Sequence, residues 1–290
     1  MRVILLKLVT LYLDVNRIEK NTARLRDLFQ RASTESKLRG ILGVTSFKDV
    51  YDSLLDIQKQ RMNEIVGSRL DGYLESGNII SFAYVYPDGV IDNIGVIHDG
   101  VYDKKAWNVY AEWYTYLNNS LDLSSKIIAE EFNGVAISAT TTGMASKINH
   151  VSQYFPNVVS HRVHAENAGI GWRGKNGLIV NPRHSCMIRL SGVITDEPLI
   201  HTTGSGEDCG NCYSCEEACP FLRHRDKLDD YREQCRVYLD KLGLDEEVCG
   251  KCIKACVYSQ RMVKSLGVPV EQGFETVYYT FIKKQSEPAD

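Results

Sequence analysis

Residues 209–220 read Cys209-Gly-Asn-Cys212-Tyr-Ser-Cys215-Glu-Glu-Ala-Cys219-Pro220, and this run decides the C-terminal architecture. Three cysteines at two-residue gaps wrap three thiolates round one iron–sulfur cubane. The fourth, followed by proline, does not reach the same cage and points to a second one. That predicts another cysteine group downstream, which Cys249-x2-Cys252-x3-Cys256 supplies. In the crossed pattern of two-cluster proteins, Cys209, Cys212 and Cys215 hold one 4Fe-4S cluster with Cys256 as distant fourth ligand. Cys219, Cys249 and Cys252 hold the other, and Cys235, the cysteine left in this segment, completes it. Zinc suits paired Cys-x2-Cys units, but three cysteines in succession ahead of Cys-Pro fit the cubane better. Cys186 stands apart between a turn and a strand and reads as a buried, inert thiol. Clusters ligated by four thiolates move single electrons and do no bond chemistry themselves, so the rest of the chain must supply the partner chemistry.

Upstream, the composition is that of a folded protein. The chain has 290 residues, 43% of them hydrophobic and 24% charged, enough for a real core divided into two units. A formal net charge of -3, with both signs mixed along the chain, gives no broad cationic face for a nucleic acid. The opening run Val3 to Leu13 contains Lys7 and Thr10 and ends at Asp14; it reads as a buried first helix or strand rather than a membrane span or leader. The expected location is the cytoplasm, where clustered thiols stay reduced and serve as metal ligands rather than disulfides.

Helical patterning dominates residues 14–70, with Ile18, Leu25, Leu28 and Phe29 on one side of a charged segment. Asn78 to Tyr86 (NIISFAYVY) is β-branched and aromatic, runs into Pro87-Asp88-Gly89, and reads as a strand buried on both faces. From Asp103, a predicted N-cap, Trp107, Tyr110, Ala111, Tyr114, Leu117 and Leu121 recur at the spacing of a long amphipathic helix ending near Asn133-Gly134. Val135 to Ala139 follows as a strand, and strand, helix and strand in that order make a crossover unit. Leu178 to Asn181 and Met187 to Thr195 are further strands. The expectation is an α/β (α+β) unit over 1–200, a cluster unit over 201–262 and a tail over 263–290, in which Phe274 to Ile282 alternates like a returning strand.

The segment Ala165 to Pro182 (AENAGIGWRGKNGLIVNP) is the second informative stretch. Gly169, Gly171, Gly174 and Gly177 permit close backbone approach to a ligand, and Lys175 and Asn176 add polar side chains. Alone, it reads equally well as a tight helix-to-strand connection.

Taken with both cysteine groups, with Asn181-Pro182-Arg183 and with Thr195-Asp196-x-Pro198-Leu199, this segment resembles epoxyqueuosine reductase, a relative of the reductive dehalogenases, over roughly Ser160 to Cys256. The resemblance implies a nitroreductase-like α/β domain that holds cobalamin, followed by a two-cluster bacterial ferredoxin-like domain that reduces the cobalt. By position, Gly169, Gly171, Gly174, Lys175 and Asn176 are the implied corrinoid-lining residues, and a ferredoxin or flavodoxin is the implied electron donor.

Three departures stand out. The family's proton-donating aspartate lies fourteen residues before the glycine matching Gly169, where this chain has Phe155. The helical repeat domain that follows the clusters in many relatives is missing after Cys256. Cys235 and Cys249 are also closer together than the family usually shows. These departures count against action on tRNA. His161, His164 and Glu166, on one short predicted helix, are the nearest replacements for the acid. Two further functions stay open: an electron-transfer or activating protein that reduces a separate corrinoid protein, and a flavin-dependent relative.

Overall fold

A computed structural model describes residues 2–139, 146–204 and 206–265, with backbone alone for 2–14, 155 and 263–265. The first helix, α1 (Arg2–Glu35), continues the apolar opening run into the charged segment without a break. Leu25 and Phe29 are buried on its inner side, with Ile18 and Leu28 half-buried. Next come β1 (Gly40–Ser46), α2 (Phe47–Asp52), α3 (Asp56–Val66), α4 (Leu70–Ser76) and β2 (Asn78–Val85). A short ribbon, β3 (Ile97–His98) and β4 (Val101–Tyr102), leads into α5 (Lys104–Glu131) and β5 (Val135–Ile137).

The helical reading of residues 14–70 needs one correction, since β1 lies inside it. Gly40 and Gly43 weaken the apolar alternation of this edge strand, so no period-2 pattern announces it. Tertiary packing selects the extended state: the whole of β1 pairs antiparallel with β2, from Gly40 opposite Tyr84 to Ser46 opposite Asn78. Gly43 also lies where a Cβ would collide with the Ala168 carbonyl oxygen.

The main sheet has the order β1-β2-β8-β5, where β8 is Ile188–Thr195, and each neighbouring pair is antiparallel. Both β2 and β5 run opposite to β8, so they are parallel to each other. The strand–helix–strand crossover is therefore present, with β8 inserted between its two strands. Every residue of β2 is buried because both faces are covered. On one side Ile80, Phe82 and Tyr84 join Leu25 and Phe29 of α1 and the inner face of α5. On the other, Ile79 joins Phe47, Val50, Met62 and Tyr73 from α2, α3 and α4.

In α5 the Asp103 carboxylate caps the helix by accepting from the Ala106 N–H at 2.9 Å. Trp107, Tyr110, Ala111, Tyr114, Leu117 and Leu121 are all buried, as their spacing predicts. A Leu121→Ala chain is expected to lose about 3 kcal/mol of stability, read as a lower urea midpoint with unchanged slope.

After β5 come α6 (His161–Asn167), β6 (Trp172–Arg173), β7 (Ile179–Val180) and then β8. The thiol segment adds α7 (Ser214–Ala218), α8 (Pro220–Arg223), α9 (Tyr231–Leu242) and α10 (Lys251–Ser265). Leu242, Val248 and Val257 from this segment belong to the same apolar cluster as α5 and β2. The Trp107 indole N–H donates to the Cys249 carbonyl at 2.8 Å, and Lys254 Nζ donates to the Ile94 carbonyl at 2.7 Å. The alternating stretch Phe274 to Ile282 lies outside the described residues.

Candidate functional site

The eight clustered cysteines come together in two sets. Cys215 is buried; burial, and then the charges of Cys256, Cys212 and Cys209, push its thiol up to about 12. Burial also pushes Cys235 up to about 12, and the neighbours it feels are Cys249 and Cys219. Cys252 is raised by burial and by Cys249, Cys235 and Cys219, with Cys215 the weakest contributor. Burial raises Cys249 as well, against the backbone N–H and charge of Lys251. Thiols that raise one another in this way cannot all carry charge without a cation among them, so their donor chemistry suits a metal cluster. Among the described residues, no three His, Cys, Asp or Glu side chains close round a single metal ion.

Side-chain donors gather on the first set. Trp172 Nε1 donates to Cys209 Sγ at 3.4 Å, and Ser259 Oγ lies 3.4 Å from Cys212 Sγ. Ser185 Oγ donates to Cys256 Sγ at 3.1 Å, and the Cys186 thiol donates to the same sulfur at 3.5 Å. The Cys186 donation, joined by that of Ser185, lowers Cys256 to about 7, while Cys186 itself is held well above the usual thiol range. Cys186 is thus the proton-bearing partner. It is buried, as the sequence suggests, but it touches a predicted ligand, which its isolation in sequence hides.

The glycine-rich segment turns toward its own chain. Gly169, at φ 70°, packs on the Thr203 carbonyl, and Gly171 lies where a Cβ would collide with the Val180 carbonyl oxygen. Gly174 faces the Val180 side chain. Lys175 Nζ donates to the Gly210 carbonyl at 2.7 Å and sits 3.4 Å from the Tyr213 ring centre. Asn176 accepts from the Leu178 N–H and donates to Cys186 Sγ at 3.4 Å. The two Lys175 contacts clamp the Cys209 to Cys215 loop. On its other face the glycine-rich segment contributes Leu178 and Ile179 to the wall of an open cavity.

On α6, His164 Nδ1 lies 2.7 Å from Ser81 Oγ and its Nε2 lies 3.0 Å from His161 Nδ1, and His161 bonds onward to the Ser138 backbone. Gly192, opposite Ser81 in the register, leaves room for the His164 ring. Burial, then the Arg189 charge, push His161 down to about 4; burial, then His161, lower His164 well below its ordinary value. Both shifts favour the neutral imidazole at neutral pH, within a hydrogen-bonded pair. Glu166 points away and pairs with Arg173 at 2.9 Å.

A cavity of about 270 Å³ opens beside this pair, over β8. Tyr114, Tyr154, His161, Cys186, Arg189 and Ile253 are among its walls. Cys186 therefore faces the cavity while donating to Cys256. No motif marks Arg189, which lies within a strand and was missed in the sequence. A lone cation in an apolar run was its one signal.

A histidine kept neutral by the fold has no effect on stability above its ordinary pKa of about 6.5. As pH falls from there toward about 4, the unfolded chain gains a proton that the folded one refuses. The chain is expected to lose up to about 3 kcal/mol across that window through His161. In melting curves from pH 7 to pH 4.5, a His161→Asn, His164→Asn double variant should start less stable and show a flatter decline.

No family model matches the chain. It is 29% identical over 153 residues to an epoxyqueuosine reductase of Listeria monocytogenes, a stretch covering 51% of this chain and 36% of that protein. A solved epoxyqueuosine reductase from Streptococcus thermophilus matches at 19% identity and a TM-score of 0.46, covering 79% of this chain and 64% of that one. Another solved epoxyqueuosine reductase, holding an epoxyqueuosine-modified tRNA-Tyr stem loop, matches at 19% identity and a TM-score of 0.39, covering 69% and 53%. Among eight of the curated relatives it matches, the matched stretches span between 20% and 50% of their own length. Among the described residues, no helix is long and apolar enough to cross a membrane. In sequence, the chain is epoxyqueuosine reductase-like.

Proposed function

We propose that the chain is an iron–sulfur reductase whose thiol segment, residues 201–262, is a ferredoxin-like unit on a nitroreductase-like α/β unit, residues 1–200. Cys209, Cys212, Cys215 and Cys256 would hold one 4Fe-4S cluster, and Cys219, Cys235, Cys249 and Cys252 the other. The clusters supply one-electron transfer when present. The mutual influence of the thiols within each set carries this reading, because each buried sulfur feels chiefly the members of its own quartet.

The chain's own residues define a direction. Ser185 and Cys186 donate to Cys256, and Cys186 also lines the cavity, so the first set is the one next to a bound oxidant. Hydrogen bonds to cluster sulfur raise its potential, which favours electrons ending on this set. An external ferredoxin or flavodoxin is the donor class we expect at the second set. Anaerobically purified protein should contain about eight irons per chain. Cys235→Ala should lose roughly half of them, whereas Cys186→Ala should keep them all. Zinc in place of iron sinks the reading.

A second reading is an activating protein that passes electrons to a separate corrinoid protein. Phe155 at the family's acid position, together with two histidines held neutral, favours it. In that case the reduced chain should reduce an added corrinoid protein and bind no cobalamin itself at micromolar concentration. Turnover of an epoxyqueuosine-bearing tRNA stem loop by the isolated chain would count against this reading and extend the relatives' substrate to it. Cofactor analysis for cobalt and flavin on the same sample separates both readings from a flavin enzyme.

A further inference from the structure

Arg189 is set deep in the chain on β8, yet part of its surface stays open where it lines the cavity. Its guanidinium lies 4.1 Å from the Tyr114 ring centre, and its Nε donates to Asn118 Oδ1 at 3.0 Å. The ionisable neighbours that favour its charge are four tyrosines, Tyr114, Tyr86, Tyr110 and Tyr154; His161 also feels it, and none of these is a carboxylate. The cavity walls are likewise free of Asp and Glu among the described residues; their other cation, Arg162, donates Nη1 to the Gly177 carbonyl. A guanidinium cannot shed its proton to escape burial, and leaving such a charge without a counter-charge is costly. The Asn118 bond and the Tyr114 ring hold the fork in one place without neutralising it. Apolar wall is supplied by Ile188, Leu190, Ile179 and Val159, and Gln58, Ser160 and His161 add polar groups that carry no carboxylate.

We infer that this cavity binds a small anionic molecule with an apolar body, its carboxylate or comparable oxyanion seated on Arg189. The planar fork pairs with such a group through two parallel hydrogen bonds, and the aliphatic walls take the body. The identification of this ligand as the electron acceptor rests on the reading of Cys186 and Cys256 given above; the binding itself does not. The volume, about 270 Å³, lies just below the usual range of drug-sized sites and suits a single ring with one substituent.

Benzoate and its neutral isostere benzamide are suitable probes, titrated by calorimetry into the full anaerobic chain whose iron has been measured. Benzoate is expected to bind at millimolar concentration or tighter, and benzamide at least about tenfold more weakly, a gap of about 1.4 kcal/mol. Arg189→Gln should abolish that preference. If this variant does not fold, Leu190→Phe, which narrows the cavity and leaves the charge, should remove benzoate binding. Equal affinity for the two probes, binding of neither, or a preference that survives in a folded Arg189→Gln chain overturns the inference. A chain with full iron that binds no benzoate leaves the cluster reading standing, and one that binds benzoate but no iron does the reverse.

Discussion

The Cys186 thiol lies 3.5 Å from Cys256 Sγ, and this contact makes one site out of two parts of the chain. Cys186 belongs to the loop that enters β8, the central strand between β2 and β5, and Cys256 belongs to α10. One sulfur is held protonated and the other is favoured as thiolate, so the hydrogen bond has a fixed direction. Ser185 beside it donates to the same thiolate, and Asn176 donates to Cys186 from the glycine-rich turn. Two stretches seventy residues apart thus meet at one pair of sulfurs. A shift of the thiol segment against the sheet would break all of these bonds together.

What prevents such a shift is packing of two kinds. Leu242, Val248 and Val257 extend the apolar core of α5 and β2 into the thiol segment, without direction but with much of the burial energy. Directional bonds then set the alignment: Trp107 to the Cys249 carbonyl, Lys254 to Ile94, and Lys175 to Gly210. The glycines of residues 169–174 serve the same end, because their missing side chains let this turn lie on Thr203 and Val180. The turn braces the cysteine loop through Lys175, and the open space lies over β8 with Leu178, Ile179 and Cys186 among its walls.

The buried polar groups near that space divide by whether the chain satisfies them. His161, His164 and Ser81 form a closed chain of hydrogen bonds, and desolvation keeps the imidazoles neutral. Arg189 has a cation attended, among the described residues, by the Tyr114 ring, the Asn118 amide oxygen and further tyrosines, and by no carboxylate. The first group stabilises a helix against a sheet; the second has unused capacity directed at a cavity.

Much was legible from residue order because the signals are local or periodic. Cysteine spacing marks the thiol segment, since reach along a short loop depends only on the number of residues in it. The 3.6-residue recurrence from Trp107 to Leu121 and the Asp103 cap mark α5, and the unbroken apolar run marks β2 as a strand covered on both sides. The edge strand β1 was not legible, because Gly40 and Gly43 carry no pattern and its extended form comes from pairing with β2. Nor could order along the chain reveal the Cys186 contact with Cys256, seventy residues away, or the direction in which the glycine-rich turn faces. Likewise, whether His161 is charged and whether Arg189 has a counter-ion depend on what other elements place around them. Burial and the distance between remote groups are properties of the folded chain, and they decided which polar residues are structural and which face a ligand.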